Sequence, residues 1–394
     1  MPDLTTQNGK TGAVLRKGQF AQANWLVVGS GFYGATMAER IASVLGERVM
    51  VIEKRAVVGG NSFSRADEET GIEIHLHGSH IFHTRDSRVW EYVRSFGAFN
   101  AYRHHVLASH HGRVYPLPVC LWTLNQFFGR VFTPEEARAF LDGQRQGAVG
   151  KARNLEEKAV ALIGKPLYEA FVKGYTEKQW GTAATRLPPE IITRLPVRTS
   201  YDTDYFPDPY QGIPAQGYGR LFRAMLNHPL IEVVTGVAFE TVRPLLPAAC
   251  RIIYTGMLDE LFGCRFGRLA WRSLRFEYET VRQRDYQGTA VMNYVDPEVP
   301  FTRIHEFKHY TPENTAVAGF PATVVCREYP QAHAVGKEAY YPVEDDRNLA
   351  LRDRYLNEVA KTGMIVGGRL GSYRYLNMDA AIGQALTDFA SRVR

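Results

Sequence analysis

Residues 24–53, NWLVVGSGFYGATMAERIASVLGERVMVIE, decide the fold of this chain. The first six residues are a short apolar run that ends in glycine, which is typical of a buried strand. A glycine-rich turn, a segment with apolar residues at helical spacing and a second apolar run at 48–53 follow in that order. Strand, turn, helix and strand form a β-α-β unit, which favours a parallel sheet.

The turn carries the pattern Gly29-x-Gly31-x-x-Gly34, and Glu53 ends the second strand 19 residues after Gly34. Glycines at these positions allow a tight turn and let the backbone approach a pyrophosphate at the helix N-terminus. An acid at the end of the second strand accepts hydrogen bonds from ribose hydroxyls. We therefore expect a dinucleotide site; the alternative is a glycine turn that serves only packing.

The composition limits what the chain can be. Its 394 residues, 45% hydrophobic and 22% charged, suit a globular protein of two or three domains and exclude a disordered chain or a disulfide scaffold. The net charge of +6 fits an anionic ligand better than nucleic acid. Four cysteines without a CxxC pair argue for a reducing compartment. Without an 18-residue apolar stretch or a signal peptide, we expect a cytoplasmic protein with no membrane span.

Two further textures follow the β-α-β unit. Residues 88–180 carry apolar residues mostly at helical spacing, and Thr133-Pro134-Glu135-Glu136 has the composition of a helix start. Residues 250–310 are rich in β-branched and aromatic residues, which predicts a mostly antiparallel sheet. A strand, a glycine turn and a helix near the C-terminus indicate that distant segments complete the nucleotide domain.

Four histidines, His75, His77, His80 and His83, cluster in the stretch HLHGSHIFH. The HxH spacing can place two imidazoles on one strand face, so a zinc site is one interpretation. A polar turn and a ligand-facing loop are the alternatives. No nearby cysteine or paired acid supports the metal.

The segment 168–180, YEAFVKGYTEKQW, packs five aromatic residues into thirteen positions. Helical spacing of the apolar residues is consistent with a core face, while aromatic residues beside polar groups suit stacking on a planar base. The residues alone leave both interpretations open. Arg194 lies on a proline-bounded loop and Arg303 in a strand pattern ten residues after Asn293. Arginine suits phosphate oxygens, although single arginines are usually surface charges.

Several longer motifs resemble those of the prokaryotic UDP-galactopyranose mutases. They are YTEKQWG at 175–181, LPVRTSYDTDYF at 195–206, YQGIP at 210–214, FTR at 301–303, YYP at 340–342 and GRLGSYRY at 368–375. A glycine pair at 59–60 also resembles FAD proteins more than NAD dehydrogenases. The resemblance covers about residues 24–394 and implies an α/β fold with a discontinuous Rossmann-like FAD-binding domain, a helical domain and a mainly antiparallel β-sheet domain.

The resemblance also implies an activity. UDP-galactopyranose and UDP-galactofuranose are interconverted without net redox change, through attack of reduced flavin N5 on the anomeric carbon, to supply galactofuranose for cell-surface glycans. The implied partners are the two UDP-sugars, UDP, an electron donor such as NADPH or NADH that reduces FAD, and a second copy of the chain in a homodimer. Nucleic acid is not among them. A flavin oxidoreductase and a non-catalytic nucleotide-sugar-binding protein are the alternatives.

The domain boundaries follow from the same resemblance. We expect a flexible N-terminal tail at 1–22, an FAD-binding domain at 23–88 with about 208–250 and 335–394, a helical domain with the uridine site at 89–180, a mobile loop region at about 181–207, and the antiparallel sheet domain at 251–334.

Matching positions imply the site residues. The implied substrate contacts are Phe171, Val172, Tyr175, Thr176, Trp180, Arg194, Tyr205, Asn293, Arg303, Tyr340 and Tyr375. The implied flavin contacts are Gly29, Gly31, Phe32, Gly34, Glu53, Lys54, Asn61, His80, Ile81, Val237, Arg369, Leu376, Asn377 and Met378. Arg194, Arg303 and His80 are expected to act in catalysis, the arginines on the diphosphate, and no metal is expected. Asn377 replaces the aspartate usual in the family, which removes one negative charge near the phosphates and the flavin.

Overall fold

The computed structural model describes Phe20 and residues 23–145, 149–192 and 197–394. The strands are β1 Trp25–Val28, β2 Val49–Glu53, β3 Ser64–Ala66, β4 Glu73–His75, β5 Phe82–Thr84, β6 Val106–His110, β7 Arg113–Leu117, β8 Tyr210–Gly212, β9 Ile231–Thr235, β10 Arg251–Tyr254, β11 Trp271–Val281, β12 Val291–Tyr294, β13 Arg303–Glu306, β14 Thr323–Ala332, β15 Tyr341–Pro342 and β16 Ile365–Val366. The α-helices are α1 Phe32–Arg40, α2 Ser87–Arg94, α3 Leu121–Phe128, α4 Pro134–Gln144, α5 Leu155–Ile163, α6 Lys165–Tyr168, α7 Gly174–Trp180, α8 Gly217–Leu226, α9 Phe239–Val242, α10 Thr315–Gly319, α11 Asp346–Val359, α12 Gly368–Ser372 and α13 Met378–Asp388.

A five-stranded parallel sheet, ordered β16-β10-β1-β2-β9, carries the glycine turn. All residues of β1 and β2 are buried, which agrees with their continuous apolar runs, since helices cover both faces of a parallel sheet. Helix α1 starts directly after the turn and packs against α8 and α13. The β-α-β prediction is confirmed, and distant segments supply β9, β10 and β16.

A seven-stranded sheet, ordered β15-β11-β14-β13-β12-β6-β7, forms the second layer. Its pairs are antiparallel except for β6 and β12, which run parallel. The long strands β11 and β14 pair from Arg272–Ala332 to Val281–Thr323. Asn293 on β12 pairs directly with Arg303 on β13, so two predicted substrate residues are neighbours in register.

The helical region has its own core, which α3, α4, α5 and the segment 165–180 form together. At the predicted helix start, Thr133 Oγ1 accepts a hydrogen bond from Glu136 N, and Glu136 Oε2 accepts one from Thr133 N. A Cβ on Gly174 would lie 2.4 Å from the carbonyl oxygen of Val295. This contact lets α7 lie directly against the seven-stranded sheet.

Three of the expected domain boundaries place strands in the wrong domain. Strand β10, expected in the antiparallel sheet, pairs in parallel with β1, because a four-residue apolar run does not reveal the direction of its partner. Strands β6 and β7, expected within the helical domain, form an edge hairpin of the seven-stranded sheet. Strand β15, expected in the FAD-binding domain, pairs with β11.

The ends of the chain give two further findings. Of the predicted tail 1–22, the structure describes Phe20 alone, and its side chain is fully buried beside β1 and β2. The prediction of a flexible tail is therefore wrong at Phe20. A single aromatic residue in a polar stretch forms no periodic pattern from which its burial could be predicted. Among the described helices, none is long and apolar enough to cross a membrane.

Candidate active site

A cavity of about 2140 Å³ lies between the seven-stranded sheet, the segment 165–180 and the N-terminus of α13. Every predicted substrate residue that the structure describes lines it, from Phe171 on the helical side to Tyr375 on the opposite side. Of the predicted flavin residues, Asn61, His80, Ile81, Arg369, Asn377 and Met378 line it as well. The remaining ones, Gly29, Gly31, Phe32, Gly34, Glu53, Lys54, Val237 and Leu376, do not line this cavity.

The glycine turn is held by Glu53, which is buried at the end of β2. Its Oε2 accepts hydrogen bonds from the backbone N and Oγ of Ser30, at 3.0 and 2.8 Å, and its Oε1 accepts one from Arg55 N. A Cβ on Gly34 would lie 2.0 Å from the carbonyl oxygen of Gly29, whereas a Cβ on Gly31 would meet no described atom within 4 Å. Gly34 therefore serves chain packing, and Gly31 leaves room above the turn.

Three other predicted flavin residues, Val237, Asn61 and Lys54, lie close in space to Glu53 or Arg55, or next to Glu53 in sequence. Val237 donates its backbone N–H to the carbonyl of Glu53. Asn61 Oδ1 accepts a hydrogen bond from Arg55 Nη2 at 2.7 Å. The Lys54 side chain is more than half exposed and lies 3.9 Å from Glu338. These contacts place Val237 and Asn61 beside the turn and leave Lys54 at the surface.

Arg369 joins two walls of the cavity. Its Nη1 donates to the carbonyl of Tyr340 at 3.0 Å, and its Nε and Nη2 donate to the carbonyl of Leu376. The guanidinium thereby fixes the segment that leads into α13. Asn377 is the N-cap of that helix, and its side chain makes no capping hydrogen bond among the described contacts. The first N–H groups of α13 thus lie at the cavity wall, where a helix N-terminus favours an anion.

The four clustered histidines have four different partners. His77 Nδ1 bonds to Tyr340 Oη at 2.8 Å, and His83 Nδ1 bonds to Asp208 Oδ2 at 2.6 Å. His75 Nδ1 accepts the backbone N–H of His80 at 3.0 Å. The imidazoles do not converge, which contradicts the zinc interpretation. Among the described residues, the groups with converging ligand atoms are His110, His111 and Asp296, and Asp285, Glu306 and His309.

His80 is a neutral imidazole with a defined tautomer. Its Nδ1 lies 2.8 Å from the carbonyl of Gly78, and a carbonyl only accepts, so the proton sits on Nδ1. Burial lowers the pKa of His80 to about 3, which keeps the ring uncharged at pH 7. Its Nε2 is therefore a hydrogen-bond acceptor in the cavity wall.

The segment 165–180 brings its aromatic residues to the cavity through a widened helical turn at Glu169–Lys173, which contains Phe171 and Val172. Burial raises the pKa of Tyr175 to about 12, so its hydroxyl stays protonated. Thr176 and Trp180 follow on the next turns and line the same wall. The core-face interpretation is thus correct for the buried side of the helix, and the stacking interpretation remains available for Tyr175.

Lys178, in the middle of the same motif, binds backbone carbonyls and does not line the cavity. Its ammonium lies 2.7 to 3.2 Å from four backbone carbonyls, which share its three N–H groups and belong to Tyr294, Asp296, Val299 and Phe301. Burial lowers the pKa of Lys178 to about 8, so it still carries its charge at pH 7. The carbonyls belong to the last residue of β12 and to the connection from β12 to β13. Lys178 therefore fixes α7 to the strands of Asn293 and Arg303.

Arg303 is oriented by a buried carboxylate that the sequence analysis missed. Its Nε lies 3.2 Å from Glu328 Oε1, and its Nη2 donates to Tyr175 Oη at 2.5 Å. Burial disfavours the charges of this pair, but their mutual attraction outweighs it and lowers the pKa of Glu328 while raising that of Arg303. Glu328 shares a strand face with Val324 and Cys326, so a charged residue at an apolar face position is the signal that could have found it.

The remaining tyrosines complete the walls. Tyr205 is partly buried and contacts the ring of His104, whose carbonyl accepts the backbone N–H of Tyr205 at 2.7 Å. Tyr340 bonds to the histidine stretch, as described, and Tyr375 lies stacked near Tyr341 at the mouth. Arg272, which also lines the cavity, was not predicted; its Nε donates to the carbonyl of Gln179 at 3.0 Å and supports the end of α7.

Arg194 lies outside the described residues, so its role stays a prediction. Around it, the predicted loop contains short 3₁₀ turns at Ala184–Arg186 and Pro189–Ile192. Both turns contribute lining residues to the cavity. The described part of the predicted loop region thus borders the site.

Comparison with protein families gives two matches. The family described as UDP-galactopyranose mutase matches residues 170–375, and the family described as NAD(P)-binding Rossmann-like domain matches residues 27–96. The first match begins in the segment 165–180 and contains strands β11 to β15, and the second contains the glycine turn. The first match therefore contains the predicted substrate residues, and the second contains the predicted flavin residues from Gly29 to Ile81.

Individual proteins match over most of the chain. The chain is 39% identical over 368 residues to a probable UDP-galactopyranose mutase of Klebsiella pneumoniae, covering 92% of this chain and 93% of the relative. It is 37% identical over 366 residues to the dTDP-fucopyranose mutase of Escherichia coli, covering 92% and 96%. A crystal structure of reduced UDP-galactopyranose mutase matches with a TM-score of 0.70 at 16% identity, over 93% of this chain and 95% of that one, which shows the shared fold.

Proposed function

Because the chain belongs to the UDP-galactopyranose mutase family, we propose that it is an isomerase that interconverts UDP-galactopyranose and UDP-galactofuranose with reduced FAD. The observation that carries the proposal is the common cavity. It joins Arg303 and Tyr175, at the expected diphosphate and uracil positions, to His80 and Met378 at the expected flavin positions. A nucleotide sugar and a flavin in this cavity would meet.

The residues present fit an FAD. The space above Gly31 admits the close approach of a pyrophosphate, and Glu53 keeps acceptor capacity for a ribose because a carboxylate offers about four lone-pair sites. The uncapped N-terminus of α13 suits the anionic edge of a reduced flavin. When bound, the reduced flavin supplies the nucleophile for the anomeric carbon.

The protein groups act on binding and charge. Tyr175 offers a partly exposed ring in the cavity wall for the uracil. Arg303 holds the diphosphate, whose negative charge grows when it leaves the sugar. His80 offers a neutral acceptor to the flavin or the sugar, and Arg194 closes over the diphosphate from its loop. Each arginine is proposed as a catalytic residue because each is expected to touch the leaving group.

Two further partners belong to the proposal. An electron donor such as NADPH or NADH must reduce the flavin once, because the interconversion itself consumes no electrons. A homodimer is expected from the family. We propose both on family membership alone, and the galactofuranose produced is proposed to supply cell-surface glycans.

A second candidate substrate is dTDP-fucopyranose. It rests on the similarity to the Escherichia coli enzyme, whose 37% identity is close to the 39% of the Klebsiella relative. The two substrates differ in the nucleoside and at the sugar C6, and both keep the diphosphate that Arg303 would hold. The chemistry proposed here is the same for both.

The test is turnover of the purified yellow protein with UDP-galactofuranose or dTDP-fucofuranose, with and without dithionite, followed by chromatography. We expect formation of UDP-galactopyranose only after reduction, at a higher kcat/KM than for the dTDP-sugar. Turnover of the dTDP-sugar alone would favour the second candidate. Consumption of oxygen with an oxidised product, and no pyranose, would instead identify a flavin oxidoreductase.

A further inference from the structure

A chain of buried polar side chains runs from the histidine loop, defined here as residues 75–83, to Arg303. Tyr310 Oη contacts Ser79 Oγ, which lies 2.5 Å from His305 Nδ1. His305 Nε2 lies 3.1 Å from Glu328 Oε2, and Glu328 Oε1 lies 3.2 Å from Arg303 Nε. His305 is fully buried, and the proposed reaction assigns no role to it or to Ser79.

The hydrogen bonds of this chain have one consistent direction. Glu328 is a carboxylate, because Arg303 and His305 lower its pKa against the effect of burial, so His305 Nε2 carries the proton. Burial lowers the pKa of His305 and keeps the imidazole neutral, so its Nδ1 accepts from Ser79 Oγ. Tyr310 then donates to Ser79. From Tyr310 to Glu328 each donor has one acceptor, and the contact of Glu328 Oε1 with Arg303 Nε is an ion pair.

The two oxygens of Glu328 thus face different tasks. Oε1 pairs with Arg303, while Oε2 is held by His305 and lies close enough to the histidine loop that a Cβ on Gly78 would be 3.3 Å away. With both oxygens engaged, the carboxylate plane cannot rotate freely, and the guanidinium that it holds keeps Nη2 on Tyr175. The orientation of Arg303 therefore depends on a residue that lies outside the cavity lining.

We propose that His305 is a positioning residue that holds Glu328, and through it Arg303, in the orientation that receives the diphosphate, and that Ser79 ties this arrangement to the histidine loop. The inference rests on the proposed function. It assigns to His305 an effect on diphosphate affinity that acts only through Arg303. A histidine that merely fills the core would lower stability without this dependence.

The experiment measures UDP binding by calorimetry to the flavin-loaded protein, using His305→Leu and His305→Gln in the wild-type and Arg303→Met backgrounds. Leucine fills the space without polar atoms, whereas a glutamine can donate to Glu328 and accept from Ser79. We expect about tenfold weaker binding for His305→Leu, near the loss of one hydrogen bond to a charged group, and less than about twofold for His305→Gln. In the Arg303→Met background His305→Leu should change the affinity by less than about twofold.

Other results contradict the proposal in distinct ways. Equal losses from His305→Leu in both backgrounds would show that His305 acts independently of Arg303, and an unchanged affinity in the wild-type background would overturn the role altogether. If His305→Leu does not retain flavin, Ser79→Ala replaces it, with an expected threefold loss that Arg303→Met abolishes and an unchanged affinity as the contradicting result. Failure of the unaltered protein to bind UDP would overturn the proposed function itself.

Discussion

The glycine turn and the substrate side of the cavity hold their charged residues in different ways: the turn uses backbone N–H groups, and the substrate side uses side chains. In the turn, Glu53 holds Ser30 and Arg55 through bonds to their backbone N–H groups, and all three lie within a single β-α-β unit and its extension. On the substrate side, Arg303 depends on Glu328 from the neighbouring strand and faces Tyr175 from the helical region.

The two regions should differ in their response to substitution. A turn built from backbone groups depends on glycines at positions of close approach, and its side chains are few. A wall built from side chains of distant segments depends on buried ion pairs, whose partners leave an uncompensated charge when one is removed. Substitutions should therefore affect the turn through sterics and the wall through charge.

The largest effect should come from glycine substitutions that separate packing from ligand space. Gly34→Val would force a Cβ against the Gly29 carbonyl, so we expect an unfolded or insoluble protein without flavin. A Cβ at position 31 would meet no described atom within 4 Å, so the apoprotein of Gly31→Val should unfold at the wild-type temperature while flavin content falls more than about tenfold. Circular dichroism and flavin absorbance measure both. Normal flavin content in Gly31→Val would contradict the assignment of the turn.

Removing a guanidinium should give the next largest effect. Arg303→Ala should lower kcat/KM about a hundredfold, because a hydrogen-bonded charge on the leaving diphosphate is lost, while flavin absorbance stays unchanged. Arg327→Ala is the matched control, since Arg327 lies one position before Glu328 on β14 and pairs with Glu279. The control should remain within about twofold of wild type. Equal turnover in the two variants would remove Arg303 from the site.

The same measurement applies to Arg194, whose position the structure does not describe. Arg194→Ala should lower kcat/KM about ten- to a hundredfold with full flavin content, and Arg194→Lys should recover only part, because lysine cannot hold the phosphate oxygens bidentately. Wild-type turnover in Arg194→Ala would mean that an ordinary loop arginine had been assigned to the site.

A smaller effect should follow from replacing Lys178, which fixes α7 to the sheet. Lys178→Met should raise KM about tenfold with kcat nearly unchanged, because α7 loses its hydrogen bonds to the carbonyls between the strands of Asn293 and Arg303. Lys308→Met is the matched control: Lys308 donates to three carbonyls of Arg284, Phe320 and Ala322 and does not line the cavity. Both variants should lose stability, and only the first should raise KM. A rise in both would assign the effect to stability.

The smallest effect concerns acid. Burial lowers the pKa of His77 to about 4 and of His80 and His104 to about 3, so between these values and about 6.5 the unfolded chain binds more protons than the folded one. Stability should therefore fall from pH 7 to pH 5, by roughly 1–2 kcal/mol for each histidine. Urea unfolding of His104→Phe should show a smaller fall than wild type. An identical fall would contradict the low pKa of His104.

Local patterns predicted the parts of the site that local geometry builds. The Gly29–Gly34 turn, Glu53 and the helix start at Thr133 follow from residues within a few positions of each other, and the structure agrees with their geometry. Local patterns did not predict that Asn293 pairs with Arg303, and they left open whether the aromatic residues of 171–180 face the core or the cavity. Other strand partners were also not predicted, and β10 and the β6–β7 hairpin were assigned to the wrong domains.

The sequence by itself determined the parallel sheet, the glycine turn and the family, because each rests on contiguous residues whose periodicity and backbone needs are written in order. Only the tertiary structure decided that Glu328 and His305 support Arg303, that Lys178 braces α7, and that the four histidines take separate partners. These contacts join residues up to 263 positions apart, as between His77 and Tyr340. Their energies arise from burial and the exclusion of water, which depend on how the two sheets pack and not on any local pattern.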